Sequence, residues 1–265
     1  MTEASAVAKT FDTQGYVHIP GFFTEDEIAR VRDEIERTGQ ALHRQSRLNS
    51  GSMIFLNNLH RQSQPLQDFV CQDRLVRFLA DVVGPDFWIR WDQCVCKGPG
   101  APEFPWHQDN AYNTLKDPHF QLWIAVSPTT AANGGLWLAP GSHKRGLVAH
   151  HKRGTHQVAD ETPADPVLIE AGRGDIVLFS SLMLHYTGPN VSTDQRWAYV
   201  VEYMKSEHFD PYIEGPYMIV AENGRRVQRM AASFRGSRDL RALRRYFGLR
   251  GAVSWLTRDA RMSPD

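Results

Sequence analysis

The stretch Trp106-His107-Gln108-Asp109-Asn110-Ala111-Tyr112 places an imidazole and a carboxylate two residues apart in mid-chain. On an extended segment residues i and i+2 share a face, so His107 and Asp109 can converge on one metal ion. Such an ion needs a third protein ligand, and the chain holds eleven histidines to supply it. His143, His150, His151 and His156 fall in a polar segment with Lys and Arg and read as solvent-exposed. His185 stands apart, at the end of the apolar run Ile176 to Leu184. Two histidines and one carboxylate on one face of a metal leave the opposite positions open, as in non-haem Fe(II) oxygenases. Arg196 opens the next apolar run, Arg196 to Met204. If residues 188–195 connect them, the two strands pair as a hairpin. Arg196 then lies near His185, about one side-chain length deeper. A guanidinium fork holds a carboxylate through two parallel hydrogen bonds. The set therefore favours a 2-oxo acid, bound to iron through its oxo-acid end and to Arg196 through its far carboxylate. A zinc or manganese hydrolase or isomerase uses similar ligands without needing that arginine. A non-catalytic jelly-roll binding module is the other alternative.

The elements that must position these residues change in texture along the chain. Residues 1–23 read as a polar leader and a short strand, Tyr16 to Ile19, closed by Pro20-Gly21. Thr24 and Glu27 have the spacing of a capping box, and Ile28, Val31 and Ile35 follow at helical intervals up to Gly39. A second helix is predicted from Pro65 to Val83, with Leu66, Phe69, Val70, Val76 and Leu79 on its apolar side. From Trp88 onward short apolar runs dominate: Trp88–Lys97, Phe120–Val126, Leu136–Ala139, Val167–Ile169, Asp175–Phe179 and Arg196–Met204. Gly- and Pro-rich turns separate them, which predicts a mainly β sandwich or jelly roll with packed helices. After about residue 206 many arginines, among them Arg225, Arg229, Arg241, Arg244, Arg245 and Arg250, alternate with apolar residues and predict a solvated helical face over the barrel.

Bulk composition excludes several classes. Thirty basic residues balance thirty acidic ones, so nothing draws the protein as a whole to nucleic acid or an anionic membrane. No apolar run has the length of a membrane span, and the short polar start lacks a signal-peptide core. Three cysteines, an odd and low count, fit a reducing cytoplasm and argue against a disulfide framework. Cys94 and Cys96 lack zinc-knuckle spacing and read as buried strand thiols. A small-molecule substrate and a monomer or homodimer are the expected partners.

Several segments together resemble the phytanoyl-CoA dioxygenase family, a branch of the Fe(II)/2-oxoglutarate dioxygenases. They are Pro105-Trp106-His107-Gln108-Asp109, Leu122-Trp123-Ile124-Ala125, Asn133-Gly134-Gly135-Leu136, Pro140-Gly141-Ser142-His143-Lys144-Arg145-Gly146, Gly174-Asp175, His185-Tyr186-Thr187-Gly188-Pro189-Asn190 and Arg196. The resemblance runs from about Phe11 to Met204. It implies a double-stranded β-helix (a cupin-like jelly roll) inside a single domain spanning 1–265, with a helical part over about 1–85, a core over about 86–205 and an extension over about 206–265. It implies His107, Asp109 and His185 as iron ligands and Arg196 as the residue binding the distal carboxylate of 2-oxoglutarate. Thr187, Gln93 and Trp123 match positions near that cosubstrate, while His143 falls in a structural turn. The implied reaction uses Fe(II), 2-oxoglutarate and O2, with ascorbate as a reductant, and hydroxylates a C–H bond while releasing succinate and CO2. Halogenases of the superfamily replace the carboxylate ligand, so Asp109 argues against halogenation. The substrate space is expected to draw on residues 53–60, Phe104, Trp106, Tyr112 and the C-terminal segment, with Asn57, Asn58, His60 and Arg90 as polar candidates.

Overall fold

The computed structural model describes residues 3–43, 49–50, 53–113 and 115–262. In chain order the N-terminal part gives α1 (Glu3–Gln14), β1 (Tyr16–Ile19), α2 (Glu25–His43), β2 (Asn49–Ser50), β3 (Met53–Asn57), α3 (Gln64–Val70) and α4 (Asp73–Val82). Then come β4 (Phe87–Lys97), β5 (Phe104–His107), α5 (Asn110–Asn113), β6 (Phe120–Ala125), β7 (Leu136–Leu138) and a 3-10 turn (Ser142–Arg145). The series continues with β8 (His150–Arg153), β9 (His156–Ala159), β10 (Val167–Ile169), β11 (Ile176–Ser180), β12 (His185–Thr187) and β13 (Arg196–Lys205). It ends with β14 (Tyr217–Glu222), β15 (Arg225–Ala231), α6 (Arg235–Arg238) and α7 (Leu240–Met262), the last kinked at Gly248.

Two antiparallel sheets face each other as a jelly roll. The larger runs β1-β11-β6-β13-β4-β14-β15, with β3 also on β4 and β2 on β3; the smaller runs β10-β7-β12-β5. All six residues of β6 are buried, because this sheet is covered on both faces. Leu122 and Ile124 join Ile28, Val31, Leu66 and Leu79 in the layer beneath the helices. Trp123 and Ala125 point the other way and join Leu136, Leu138 and Ala198 between the sheets. That period-2 division decides which side chains can reach an interior site.

The capping box forms. Thr24 N–H donates to Glu27 Oε2 at 2.8 Å and Glu27 N–H to Thr24 Oγ1 at 3.2 Å. Glu27 also takes Arg74 Nη2 at 2.7 Å, tying α2 to α4. Thr24→Ala should therefore cost about 1 kcal/mol, read as a lower urea midpoint with an unchanged slope; an unchanged midpoint would mean that the cap contributes nothing.

Four expectations need correction. The polar leader is largely helix α1, which buries Phe11 in the main core. Gly39 does not stop α2: a Cβ there would lie 2.6 Å from Leu56 Cδ1, so the glycine serves close approach of helix and β3. The helix predicted over 65–83 is two helices, α3 and α4, broken where Cys71 leaves helical geometry and Gln72 turns extended (φ −63°, ψ 147°). Arg225, Arg226 and Arg229 sit on the hairpin strand β15, not on a helix. Its partner β14 docks on β4, and its apolar residues pack with Trp88 and Phe234. The three cysteines are free and buried. Among the described residues no helix is long and apolar enough to cross a membrane.

Candidate metal centre and its cavity

His107 ends β5 and His185 begins β12, and the two are direct partners across that antiparallel pair. Their ring centroids are 4.0 Å apart. Each ring is fixed by its own backbone: His107 Nδ1 donates to Pro105 O at 2.8 Å and His185 Nδ1 to Met183 O at 3.0 Å. With Nδ1 carrying the proton, both Nε2 atoms are free as electron-pair donors. They face one carboxylate, His107 Nε2 at 3.5 Å from Asp109 Oδ1 and His185 Nε2 at 3.7 Å from Asp109 Oδ2. Ligand atoms of the three residues lie within 4.8 Å of one another, the one such His/Cys/Asp/Glu group among the described residues. Asp109 is not on the strand, as the i, i+2 spacing suggested. β5 stops at His107, and the chain turns into α5 just after Asp109. The turn, rather than strand alternation, aims the carboxylate at the imidazoles.

Electrostatics keep Asp109 and His185 in ligand form. Burial alone would push the Asp109 carboxyl up, but His185 and His107 beside it hold it well below the usual carboxylate range. Burial and the neighbouring His107 push His185 down to about 4. Gln121 Nε2 donates to Asp109 Oδ2 at 2.9 Å and to Glu202 Oε1 at 3.1 Å. Two carboxylate acceptors fix the orientation of that amide. Nothing about Gln121 was singled out from sequence, although its alternation with Trp123 on β6 places both on the inner face.

A cavity of about 520 Å³ opens beside the triad. Its wall includes the seven residues expected to hold the metal and the cosubstrate: Gln93, His107, Asp109, Trp123, His185, Thr187 and Arg196. The hairpin expected between His185 and Arg196 does not exist. β12 pairs with β5 and β7 in the small sheet, while β13 pairs with β4 and β6 in the large one. The turn at Gly188-Pro189-Asn190 carries the chain between sheets, held by Asn190 Nδ2 on Lys97 O at 2.9 Å. Arg196 therefore approaches from the opposite wall. It is 1% exposed, and its Nε and Nη2 have no hydrogen-bond partner. Such an orphaned cation in a buried wall calls for an anion.

Other candidates fare differently. Arg90, Phe55, Phe104 and Tyr112 line the cavity; Tyr212 and Ile213 represent the C-terminal segment. Asn57, Asn58 and Trp106 do not, and Trp106 instead stacks on Tyr186 at 5.4 Å. His60 is buried away from the cavity, with its Nδ1 2.5 Å from Asp92 Oδ1. Of the polar histidines, His143 lies in the 3-10 turn and His150, His151 and His156 in the hairpin β8–β9; only His151 is exposed, and the other three are half-buried. His143 Nε2 lies 3.2 Å from Asp12 O, remote from the triad's ligand group. Arg90 reaches the cavity through a β-bulge: against β13, Glu202 pairs with Trp91 and Tyr203 with Ile89, leaving Arg90 as the extra residue.

Lys97 lies directly opposite Arg196 in the β4–β13 register. It is fully buried and donates to the carbonyls of Thr187 (3.3 Å) and Gly188. Burial, then the charge of Arg196, pushes it from 10.5 down to about 7. Between those values the unfolded chain binds a proton that the folded protein does not, so stability rises with pH across this window. The destabilisation is complete below about 7 and absent above 10.5. Lys97→Met should flatten that slope in urea melts at pH 7 and 9. Equal slopes in the two proteins would mean that the lysine titrates normally.

A jelly roll carrying two histidines and a carboxylate around an open coordination face has the site of a non-haem iron oxygenase. The chain belongs to the phytanoyl-CoA dioxygenase (PhyH) family, which residues 11–198 match. It is 35% identical over 118 residues to phytanoyl-CoA dioxygenase of Arabidopsis thaliana, a match covering 42% of this chain and only 41% of that protein. It is 27% identical over 224 residues to 1-deoxypentalenic acid 11-beta-hydroxylase of Streptomyces arenae, covering 73% of this chain and 77% of that one. Among solved structures, the non-heme monooxygenase ThoJ superposes with a TM-score of 0.71 at 20% identity, covering 97% of this chain and all of its own, a likeness of fold.

Proposed function

We propose that the protein is an Fe(II)/2-oxoglutarate-dependent dioxygenase that hydroxylates an unactivated C–H bond of a small-molecule metabolite, with residues 1–265 acting as one catalytic domain. One observation carries this reading: the two-histidine, one-carboxylate cluster shares its cavity with a buried guanidinium whose Nε and Nη2 lack partners. A hydrolase would use the cluster but has no need of the arginine, whereas a dicarboxylate cosubstrate needs both. The donor set suits Fe(II), with open positions left for a chelating ligand. When bound, iron with 2-oxoglutarate and O2 supplies the oxidising power, and succinate and CO2 leave as co-products.

The protein's share is ligation, orientation and exclusion of water. His107 and His185 donate through Nε2, each held by a backbone carbonyl on its other nitrogen. Asp109 is the third ligand, steadied by Gln121. Arg196 would take the distal carboxylate of 2-oxoglutarate, and Thr187, Gln93 and Trp123, which line the same cavity, would flank the cosubstrate. Support for hydroxylation comes from the relative named as an 11-beta-hydroxylase. The test is oxygen uptake and succinate formation by protein loaded anaerobically with Fe(II) or with Zn(II). Uptake that needs Fe(II) and 2-oxoglutarate together is expected; absence of both signals over a broad substrate panel would overturn the reading.

A further inference from the structure

The cavity has two chemically different ends. Arg196, at 1% exposure, marks the deep end, and Tyr212, at 62%, marks the mouth. Along β13, Glu202 at the mouth side and Arg196 are six residues, or ~20 Å of strand, apart. Trp91, opposite Glu202, and Tyr212 and Ile213 wall the mouth end, Phe104 and Tyr112 pack on His107 (4.7 and 5.8 Å), and Phe55 lines the cavity between them and Arg196. Five aromatic rings offer faces and edges for offset or edge-on contact with another ring. A volume of about 520 Å³ lies within the usual range of small-molecule sites, roughly 300–1,000 Å³.

The charged groups of the mouth end are already committed. Arg90 Nε donates to Asp210 Oδ2 at 2.5 Å and its Nη1 to Glu202. All three residues are buried. Gln121 joins Glu202 to Asp109; with Asp109 given to the metal, Arg90 still stands as one cation against two carboxylates, Glu202 and Asp210. A carboxylate or diphosphate entering here meets surplus negative charge, and losing its water there would be uncompensated. The bulge that turns both Arg90 and Trp91 inward thus presents a ring to the cavity while the guanidinium is held by acids.

We propose that the substrate is an uncharged, ring-bearing apolar molecule that lies against Trp91 and Tyr212 at the mouth end of the cavity, and that the Arg90–Glu202–Asp210 network excludes anionic compounds. The proposal rests on the reading of the deep end as the 2-oxoglutarate site. Three probes separate the possibilities: naphthylmethanol, naphthoate (the same ring with a carboxylate) and palmitoyl-CoA. Binding is measured anaerobically by equilibrium dialysis on protein holding Fe(II) and 2-oxoglutarate, with the iron–2-oxoglutarate charge-transfer absorption followed in the same samples. Naphthylmethanol should bind at least about tenfold more tightly than either anion. Asp210→Asn, which releases one arm of Arg90, should shift the naphthoate-to-naphthylmethanol affinity ratio about fivefold toward naphthoate while leaving the absorption band in place. Trp91→Ala should weaken naphthylmethanol about tenfold with the band intact. An anion binding as tightly as naphthylmethanol, or no naphthylmethanol binding at all, overturns the substrate class. Loss of the absorption band in the unaltered protein instead overturns the cosubstrate assignment beneath it.

Discussion

His107→Ala should yield a folded protein that no longer retains Fe(II) and shows no 2-oxoglutarate-dependent oxygen uptake. Even outer partners of metal ligands are worth roughly 10–100-fold in metal affinity, so losing a ligand outright should exceed about 100-fold. His107 also packs against His185, Phe104 and Tyr112. Its removal therefore opens space inside the cavity wall, and a modest loss of thermal stability accompanies the functional loss. Circular dichroism melts establish that the variant folds; dialysis against Fe(II) then reads affinity. Stoichiometric, tight Fe(II) in the variant would place the metal elsewhere.

Arg196→Met should do two opposite things. In the ligand-free protein it should raise the melting temperature, because a nearly inaccessible guanidinium with unsatisfied nitrogens is replaced by an apolar chain of similar length. Burial already strains the charge, pushing the arginine from 12.5 down to about 10. With 2-oxoglutarate present the order should reverse. Two charge-assisted hydrogen bonds are worth roughly 3 kcal/mol, so the KM for 2-oxoglutarate should rise on the order of 100-fold. The thermal shift that 2-oxoglutarate gives the unaltered protein should disappear in the variant. A variant that is destabilised and yet keeps its 2-oxoglutarate affinity would make Arg196 a structural residue only.

Much of this was legible in the residues. Strands β4, β6, β10 and β13 were readable because their runs are β-branched and aromatic between Gly and Pro turns. The Thr24–Glu27 box was readable because capping is local chemistry. Seven proposed site residues line one cavity: His107, Asp109, His185 and Arg196 were readable from residue type and order, and Gln93, Trp123 and Thr187 only through the family resemblance. What was not legible depends on distant partners. Gly39 looks like a stop until Leu56 packs against it, and residues 1–14 look polar until the core accepts Phe11. His185 and Arg196 look like hairpin neighbours because sequence proximity suggests pairing, whereas the turn at Asn190 sends them to different sheets. Gln121 and Glu202 act through side-chain bonds that cross strands, and no spacing rule connects them to Asp109. The Arg90 bulge appears only in the pairing with β13.

The edge of the large sheet has a consequence for how the chain is made. β1 pairs with β11, and His18 meets Asp175 at 2.9 Å across 157 residues of sequence. The apolar sides of α2, α3 and α4 rest on β11 and β13 as well as on earlier strands. During synthesis these helices emerge long before their covering strands do. Contacts of such long range form late, and exposed apolar surface in the interval is prone to association. His185 arrives only with β12, so the nascent chain has no complete metal site until most of its length has been translated. The three ligand residues thus come together only once β12 has paired with β5, not when the His107–Asp109 segment forms.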